Sequence, residues 1–591
     1  MKTKIIAMFL ILTFSGCIKD VLDRKPLNMI SEADVWVNED LIKIYLVALY
    51  DNMPFGFDRN GYQYEAHMTD ESSHPYAGQL IVSNYGDLPL SRNTGMYTWI
   101  RRANYFLEKI QTSTISEAKI KSFTAEVRYI RAYYYFDLVK KYGGMPIIDE
   151  VQNFTGENLS ELQVSRNTED ELYSFILTEL NAAIADLPDS WDAANNNRAT
   201  KMIAQALKSR AMLYAGTIAK YGTVQLNGLI GIPASKANTY FAESINASQA
   251  IIGSSKYGLY DKLYDPNTMA GDPAENYRNL FLDKGNKEVI LQKAYFNPDK
   301  RHAWDNYNMP QSFKPGCCGN ACTPILEMVE SYEYTDGSVG TLNYDGLEFD
   351  NPKDLFLNKD PRFFGSYMYP ESPFVGRNVQ IYAGIYDVDG TLYKSSGTPF
   401  PPDPSRLQQG RDGPWILGDV GKTGFYIRKY LNTTTIVPEN TSDQNYIECR
   451  YAEILLNYAE AAVESGTNLP QALAAINLVR NRAGIKLLID TELTIDRIRN
   501  ERKVELAFED KRFWDIRRWR IGPDLFKNTN IHGLWPFLKY YGGGVYTWIF
   551  TLKTGAPLDA GLSRVWVERD NYSNLSGYIS SNKNIVNNPG W

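Results

Sequence analysis

Beyond its first seventeen residues the chain has no apolar run approaching the roughly 20 residues that cross a bilayer, so the body of the protein is not expected to insert in a membrane. Histidine is scarce. His67, His74, His302 and His532 are scattered, and the two that flank "MTDESS" would not share a helix face, which argues against a zinc centre. There is no nucleophile elbow, zinc-binding histidine pair or glycine-rich phosphate loop. An excess of positive charge is also missing: the formal net charge is -7, which excludes a nucleic-acid surface. The 69 acidic residues alone do not make a glycosidase, which needs two carboxylates held about 5 to 10 Å apart across a cleft. A non-enzymatic protein without cofactor is expected.

The one apolar run lies at the start. Lys2 and Lys4 precede ten residues, Ile5 to Phe14, that lead into Ser15, Gly16 and Cys17. The run is too short to span and reads as an export signal. Small residues before a cysteine resemble a bacterial lipobox, so residues 1–16 are read as signal peptide and Cys17 as the lipidated first residue of the mature chain. Several acyl chains at roughly 0.8 kcal/mol per buried methylene would hold such a domain firmly at a membrane.

Of the five cysteines, Cys317, Cys318 and Cys322 fall in "CCGNAC" and Cys449 stands before a helix. An exported chain favours disulfides, so a bond from Cys317 or Cys318 to Cys322 would staple a loop. Cys449 is then either a buried thiol or the partner of the remaining cysteine. A structural calcium site is compatible with the oxygen-rich "DG" turns at Asp336, Asp345, Asp389 and Asp412. Aromatic residues make up 13% of the chain. That excess serves either ligand-stacking surfaces or helix contacts.

Helical periodicity comes in two groups. The first includes "ISEAKIKSFTAEVRYIRAYYYFDLVKKYGGMP", where Phe123, Val127, Ile130, Tyr134 and Leu138 form a stripe stopped by Gly143, Gly144 and Pro146. In "TEDELYSFILTELNAAIADLP", Thr168 and Glu171 make a capping box. The second group holds "NYIECRYAEILLNYAEAAVESG", then "NLPQALAAINLVRNRAG" with Asn468 as cap and Gly484 as stop, and last "IDRIRNERKVELAFEDKRFWDIRRW" read as one helix. Small alanines opposite large side chains resemble the packing of tetratricopeptide pairs, without a clean repeat period. Between the groups, Gly, Pro, Asn, Asp and aromatics dominate, with short strands such as "NVQIYAGIYDV" and no large sheet. The fold class is therefore mostly α: a tetratricopeptide-like helical scaffold over about 31–255 and 445–521, and a loop-rich lobe over about 256–444 and 522–591, in one domain spanning 17–591.

Several of these stretches carry a resemblance. "RYAEILLNYAEAAVESG", "INLVRNRAG", "IRNERKVELAFEDKRFWDIRRW", "NPGW", "EMVESYEYTDG", "NKDPRFFGSYMY" and "AEVRYIRAYYYFDLVKKYGGMP" resemble the SusD/RagB family of outer-membrane nutrient-binding lipoproteins. The resemblance implies a lipid-anchored protein at the cell surface, in the outer membrane of Bacteroidota-type bacteria. It implies two partners, a SusC-like TonB-dependent transporter and an oligosaccharide that is captured and handed over. Some members take peptides instead, and a purely structural lid on the transporter is the remaining alternative. Asp20 and Asp23 loosely resemble the export signals of such surface lipoproteins.

A glycan site needs aromatic rings for apolar sugar faces and polar groups for hydroxyls. In "YTWIRRANYFLEK", Trp99 and Arg102 lie three apart and share a helix face. Asn104 matches an asparagine common at this place in the family, and starch-binding relatives use an asparagine and aromatics in this neighbourhood. The bland reading of Trp99 is a core contact. In "HAWDNYNMPQSF", Trp304 and Tyr307 sit on a stretch with little periodicity, and "RDGPWILGD" offers Trp415. Arg499, Glu501, Arg502, Glu505 and Glu509 are expected to pair along one helix.

Overall fold

The computed structural model describes residues 32–57, 65–75, 95–314, 319–414 and 420–591. Cys17, Cys317, Cys318 and Trp415 lie outside the described residues. The longer helices are α1 (Glu39–Asp51), α2 (Met96–Lys109), α3 (Glu117–Tyr142), α4 (Glu169–Asp186), α5 (Lys201–Tyr221), α6 (Ala237–Gly253), α7 (Tyr451–Ser465), α8 (Leu469–Ala483), α9 (Ile495–Glu505) and α10 (Arg512–Trp519). Local chemistry sets most of their ends. Asn38 accepts the Asp40 and Leu41 N–H groups before α1. At α4, Thr168 Oγ1 accepts the Glu171 N–H at 3.1 Å while the Glu171 carboxylate accepts the Thr168 N–H at 2.8 Å, completing the capping box. Gly143, at φ +74°, stops α3, and Gly466 and Gly484, both left-handed, stop α7 and α8. Asn468 does not cap α8 with its side chain; it is itself left-handed.

The predicted stripe of α3 is buried, and so are Tyr129, Tyr133 and Tyr135. Here the tyrosines supply helix contacts: α3 packs on α2 and α4, α4 on α5, α5 on α6, and α6 on α7, which joins the two sequence-distant helix groups in one array. Close approach depends on small residues. A Cβ added at Gly216 on α5 would lie 2.6 Å from the Phe241 ring of α6. Gly216→Ala is expected to cost about 1–3 kcal/mol by overpacking, read as a lower urea midpoint with unchanged helix content.

The second half is less regular. Strands β1 (Val289–Lys293), β2 (Ile385–Tyr386), β3 (Leu392–Tyr393), β4 (Tyr446–Arg450), β5 (Gly533–Tyr540) and β6 (Tyr546–Lys553) are those that matter for the site. β1 and β4 pair antiparallel. The others form a four-stranded sheet in the order β3-β2-β5-β6, with β2 and β5 parallel. Each residue of β5 from Gly533 to Tyr540 faces a residue of β6. This hairpin was hidden in a tail expected to be loop-rich.

The stretch expected to be a single C-terminal helix is broken between α9 and α10, where Phe508 and Asp510 take positive φ. The break has tertiary causes. The Phe508 N–H donates to Glu71 at 2.9 Å, and Asp510 accepts the Tyr446 hydroxyl at 2.9 Å. The signature charges accordingly pair across the fold and not along one helix. Glu501 and Glu505 both accept from Arg362, at 2.6 and 2.8 Å, and Arg502 donates to Asp515 and Asn457.

Candidate functional site

Trp99 on α2 is half-buried against the core, and the guanidinium of exposed Arg102 stands 4.5 Å from the centroid of its ring. Helical spacing brings these two together as expected, and one ring face is taken by the cation. Asn104 has a different job. It is buried, donates to the Ile148 and Glu150 carbonyls at 2.8 and 3.0 Å, and accepts from Arg131 at 2.8 Å. Its amide is spent on fixing the chain that follows α3.

Trp304 is also placed inside. It is 4% exposed, its indole N–H donates to the Lys429 carbonyl at 3.1 Å, and its ring lies 4.9 Å from Phe57 and 5.9 Å from Tyr430. Tyr307, on the same short helical turn Trp304–Asn308, is half-buried. The local sequence lacks periodicity because the cluster holding Trp304 is assembled from Phe57, Tyr295, His302, Tyr430 and Tyr446, which are far apart in the chain.

Neither described cysteine forms a disulfide. Cys322 and Cys449 are buried free thiols, so the staple expected at Cys322 is not made. Cys322 Sγ lies 3.4 Å from Ser72 Oγ, and burial pushes both thiols well above their usual range. His67 and His74 meet edge to face at 5.0 Å, and burial pushes His74 down to about 4. Among the described residues no group of three or more His, Cys, Asp and Glu side chains is placed to hold a metal ion. Nor is any described helix long and apolar enough to cross a membrane.

The large open feature is a groove of about 870 Å³ over the outward face of the sheet. Its floor includes Tyr386 of β2, Lys539 of β5, and Ile549 and Thr551 of β6; its walls are Tyr344–Glu348 and the β2–β3 turn Asp387–Gly390. Period-2 alternation explains the floor. Trp535, Phe537 and Ala383 make a small apolar cluster on this face, with Tyr386 and Ile549 packed on it, while Leu538 and Phe550 join the main core. The groove opens where two chains diverge. Phe349 and Trp548 exchange N–H···O bonds at 2.9 and 2.7 Å, and beyond that bridge residues 344–348 leave β6 instead of continuing the ladder.

Tyr386 and Tyr344 are half-buried, so each ring is held and partly open. The Tyr386 ring packs at 5.6 Å on Phe537. Burial, with Glu330 and Asp345 nearby, raises the Tyr344 hydroxyl, which stays a donor. Glu348 accepts from Lys539 at 2.7 Å, from Tyr541 at 2.5 Å and from Thr547 at 2.7 Å, and these partners hold its carboxyl down to about 2. Rings with bare edges beside carboxylate acceptors form the kind of surface that binds hydroxylated rings.

A profile described as the SusD family matches residues 287–591. The chain belongs to the SusD family. A second profile, described as starch-binding associating with outer membrane, matches residues 20–213. The fold agrees. A SusD-like protein from Bacteroides fragilis superposes with a TM-score of 0.72 at 26% identity, covering 96% of this chain and 100% of that one. A SusD-like carbohydrate binding protein, also from Bacteroides fragilis, gives 0.66 at 22% identity, over 93% and 99% of the two chains. A SusD-like protein of Bacteroides ovatus is 24% identical over 88% of this chain and 82% of its own length.

For this SusD-family chain, sequence reasoning sought the site on tryptophans and missed the groove. Two signals pointed to it. The turns Asp345-Gly346 and Asp389-Gly390 both stand on its walls, and "GLWPFLKY" and "YTWIFTLK", separated by a glycine-rich turn, read as a hairpin.

Proposed function

We propose that this protein captures oligosaccharides at the cell surface and passes them to a TonB-dependent barrel transporter, tethered to the outer membrane by lipid on Cys17. It binds and does not cleave. The observation that carries the reading is the open groove, where Tyr344 and Tyr386 offer rings beside Asp345 and Asp387, in a chain of SusD-family fold. An open groove suits transfer, because a ligand that is not enclosed can leave. The Trp99–Arg102 face and Tyr307 are proposed as further contacts; Trp415 remains a candidate beyond the described residues.

The test is calorimetry of the full-length protein against neutral and charged glycans. Tyr386→Ala is expected to weaken a glycan hit about tenfold, the share of one stacking ring, with the unfolding midpoint nearly unchanged. Full affinity in Tyr386→Ala would remove the groove from the reading. A peptide ligand is the second reading, favoured by the edge of β6. Trp548 points its N–H and C=O at Phe349, so by alternation Phe550 and Leu552 present theirs along the same side, beside the groove. A peptide mixture in the same screen decides between the two.

A further inference from the structure

The groove carries information about the charge of its ligand. Of the residues that line it, four are carboxylates, Asp345, Glu348, Asp387 and Asp389, and a single one, Lys539, is a cation. That cation is already engaged, because its ammonium lies 2.7 Å from Glu348. Glu348 is in turn saturated by Tyr541 and Thr547. The remaining three carboxylates have no basic partner. Asp387 Oδ1 accepts the Val388 N–H at 2.7 Å and Asp389 Oδ1 accepts the Thr391 N–H at 2.8 Å, both local turn bonds that fix the side chains without neutralising them. Asp345 is exposed on the facing wall.

The two walls thus present negative charge from opposite sides of a floor that carries Tyr386, Ile549 and Thr551. We infer that the groove selects neutral or amine-bearing glycans and rejects those carrying uronate or sulfate groups. The inference rests on the glycan reading above. A sugar hydroxyl donates well to a carboxylate, in a short charge-assisted bond. A sulfate or carboxylate placed between the same walls meets like charge with no free cation in reach, and salt screens that repulsion only over a Debye length of about 8 Å at physiological ionic strength.

The experiment uses the full-length protein and matched probes: neutral glucan, mannan, xylan and galactan oligosaccharides, each beside its chemically sulfated derivative, by calorimetry at low and high salt. Where a neutral probe binds, its sulfated partner is expected to bind at least about tenfold more weakly, with the gap narrowing as salt rises. The isosteric pair Asp345→Asn and Asp387→Asn, on turns outside the core, is expected to narrow the gap at constant salt. Tighter binding of any sulfated derivative, or a gap unmoved by the double variant, overturns the inference and leaves glycan capture standing. Silence of every glycan, with the thermal transition intact, overturns both.

Discussion

Arg450→Met is expected to cost about 3–5 kcal/mol, a large part of the roughly 5–15 kcal/mol that holds a domain folded. Arg450 is 1% exposed and ends β4. Its guanidinium reaches Glu288 at 2.7 Å, Glu505 at 2.6 Å and Glu509 at 2.8 Å, and also the Glu505 carbonyl at 2.6 Å. Arg482 and Lys429 share these carboxylates. Burial opposes ionisation here, yet Arg482, Arg450 and Arg362 together hold the Glu505 carboxyl well below the usual range. Methionine matches much of the volume and leaves three buried carboxylates short of a partner. Arg450→Lys should not rescue, because one ammonium cannot replace a guanidinium that serves three carboxylates and a carbonyl. Urea unfolding of both variants is the measurement. A midpoint equal to that of the unaltered protein would mean that the cluster is not a stabilising junction between the helical array and the irregular half.

The second large effect is a pH dependence. Glu71 is buried, and burial, reinforced by Asp70, pushes its carboxyl up to about 8 against the Phe508 N–H that favours the ionised form. The unfolded side chain titrates near 4.5. Below that value both states hold the proton and the contribution is fully present. As pH rises from about 4.5 to about 8 the unfolded chain loses its proton while the folded one keeps it, so stability falls, by up to about 1.4 kcal/mol per pH unit. Above about 8 both states are ionised and the loss is complete, roughly 4 kcal/mol in all. Glu71→Gln keeps an oxygen for the Phe508 N–H and has nothing to titrate. The variant is therefore expected to match the unaltered protein at about pH 5 and exceed it by several kcal/mol at about pH 9. Buried Lys359 and Lys429, both lowered to about 8 chiefly by burial, titrate with the opposite sign, but they are common to both proteins and cancel in the difference. Urea midpoints at the two pH values decide it; a difference independent of pH would show that Glu71 is ionised throughout.

The sequence by itself determined the helices, most of their ends and the family, because those signals are local or are patterns of residue type. A capping box acts over three residues and a buried stripe repeats every three or four, so Thr168, Gly143 and the α3 tyrosines could be placed without knowing their neighbours. Only the tertiary structure decided which aromatics are open and where the charges go. Trp304 is sealed by the Lys429 carbonyl, 125 positions away, and Asn104 is consumed by carbonyls more than 40 positions on. The α9–α10 break is set by Glu71, 437 positions from the N–H that it binds. The groove exists because residues 344–348 diverge from β6 after a single bridge, a choice made by packing between chains nearly 200 residues apart. Burial and ion pairing are properties of the assembled neighbourhood, and a side chain's own sequence context fixes only which of them it is able to satisfy.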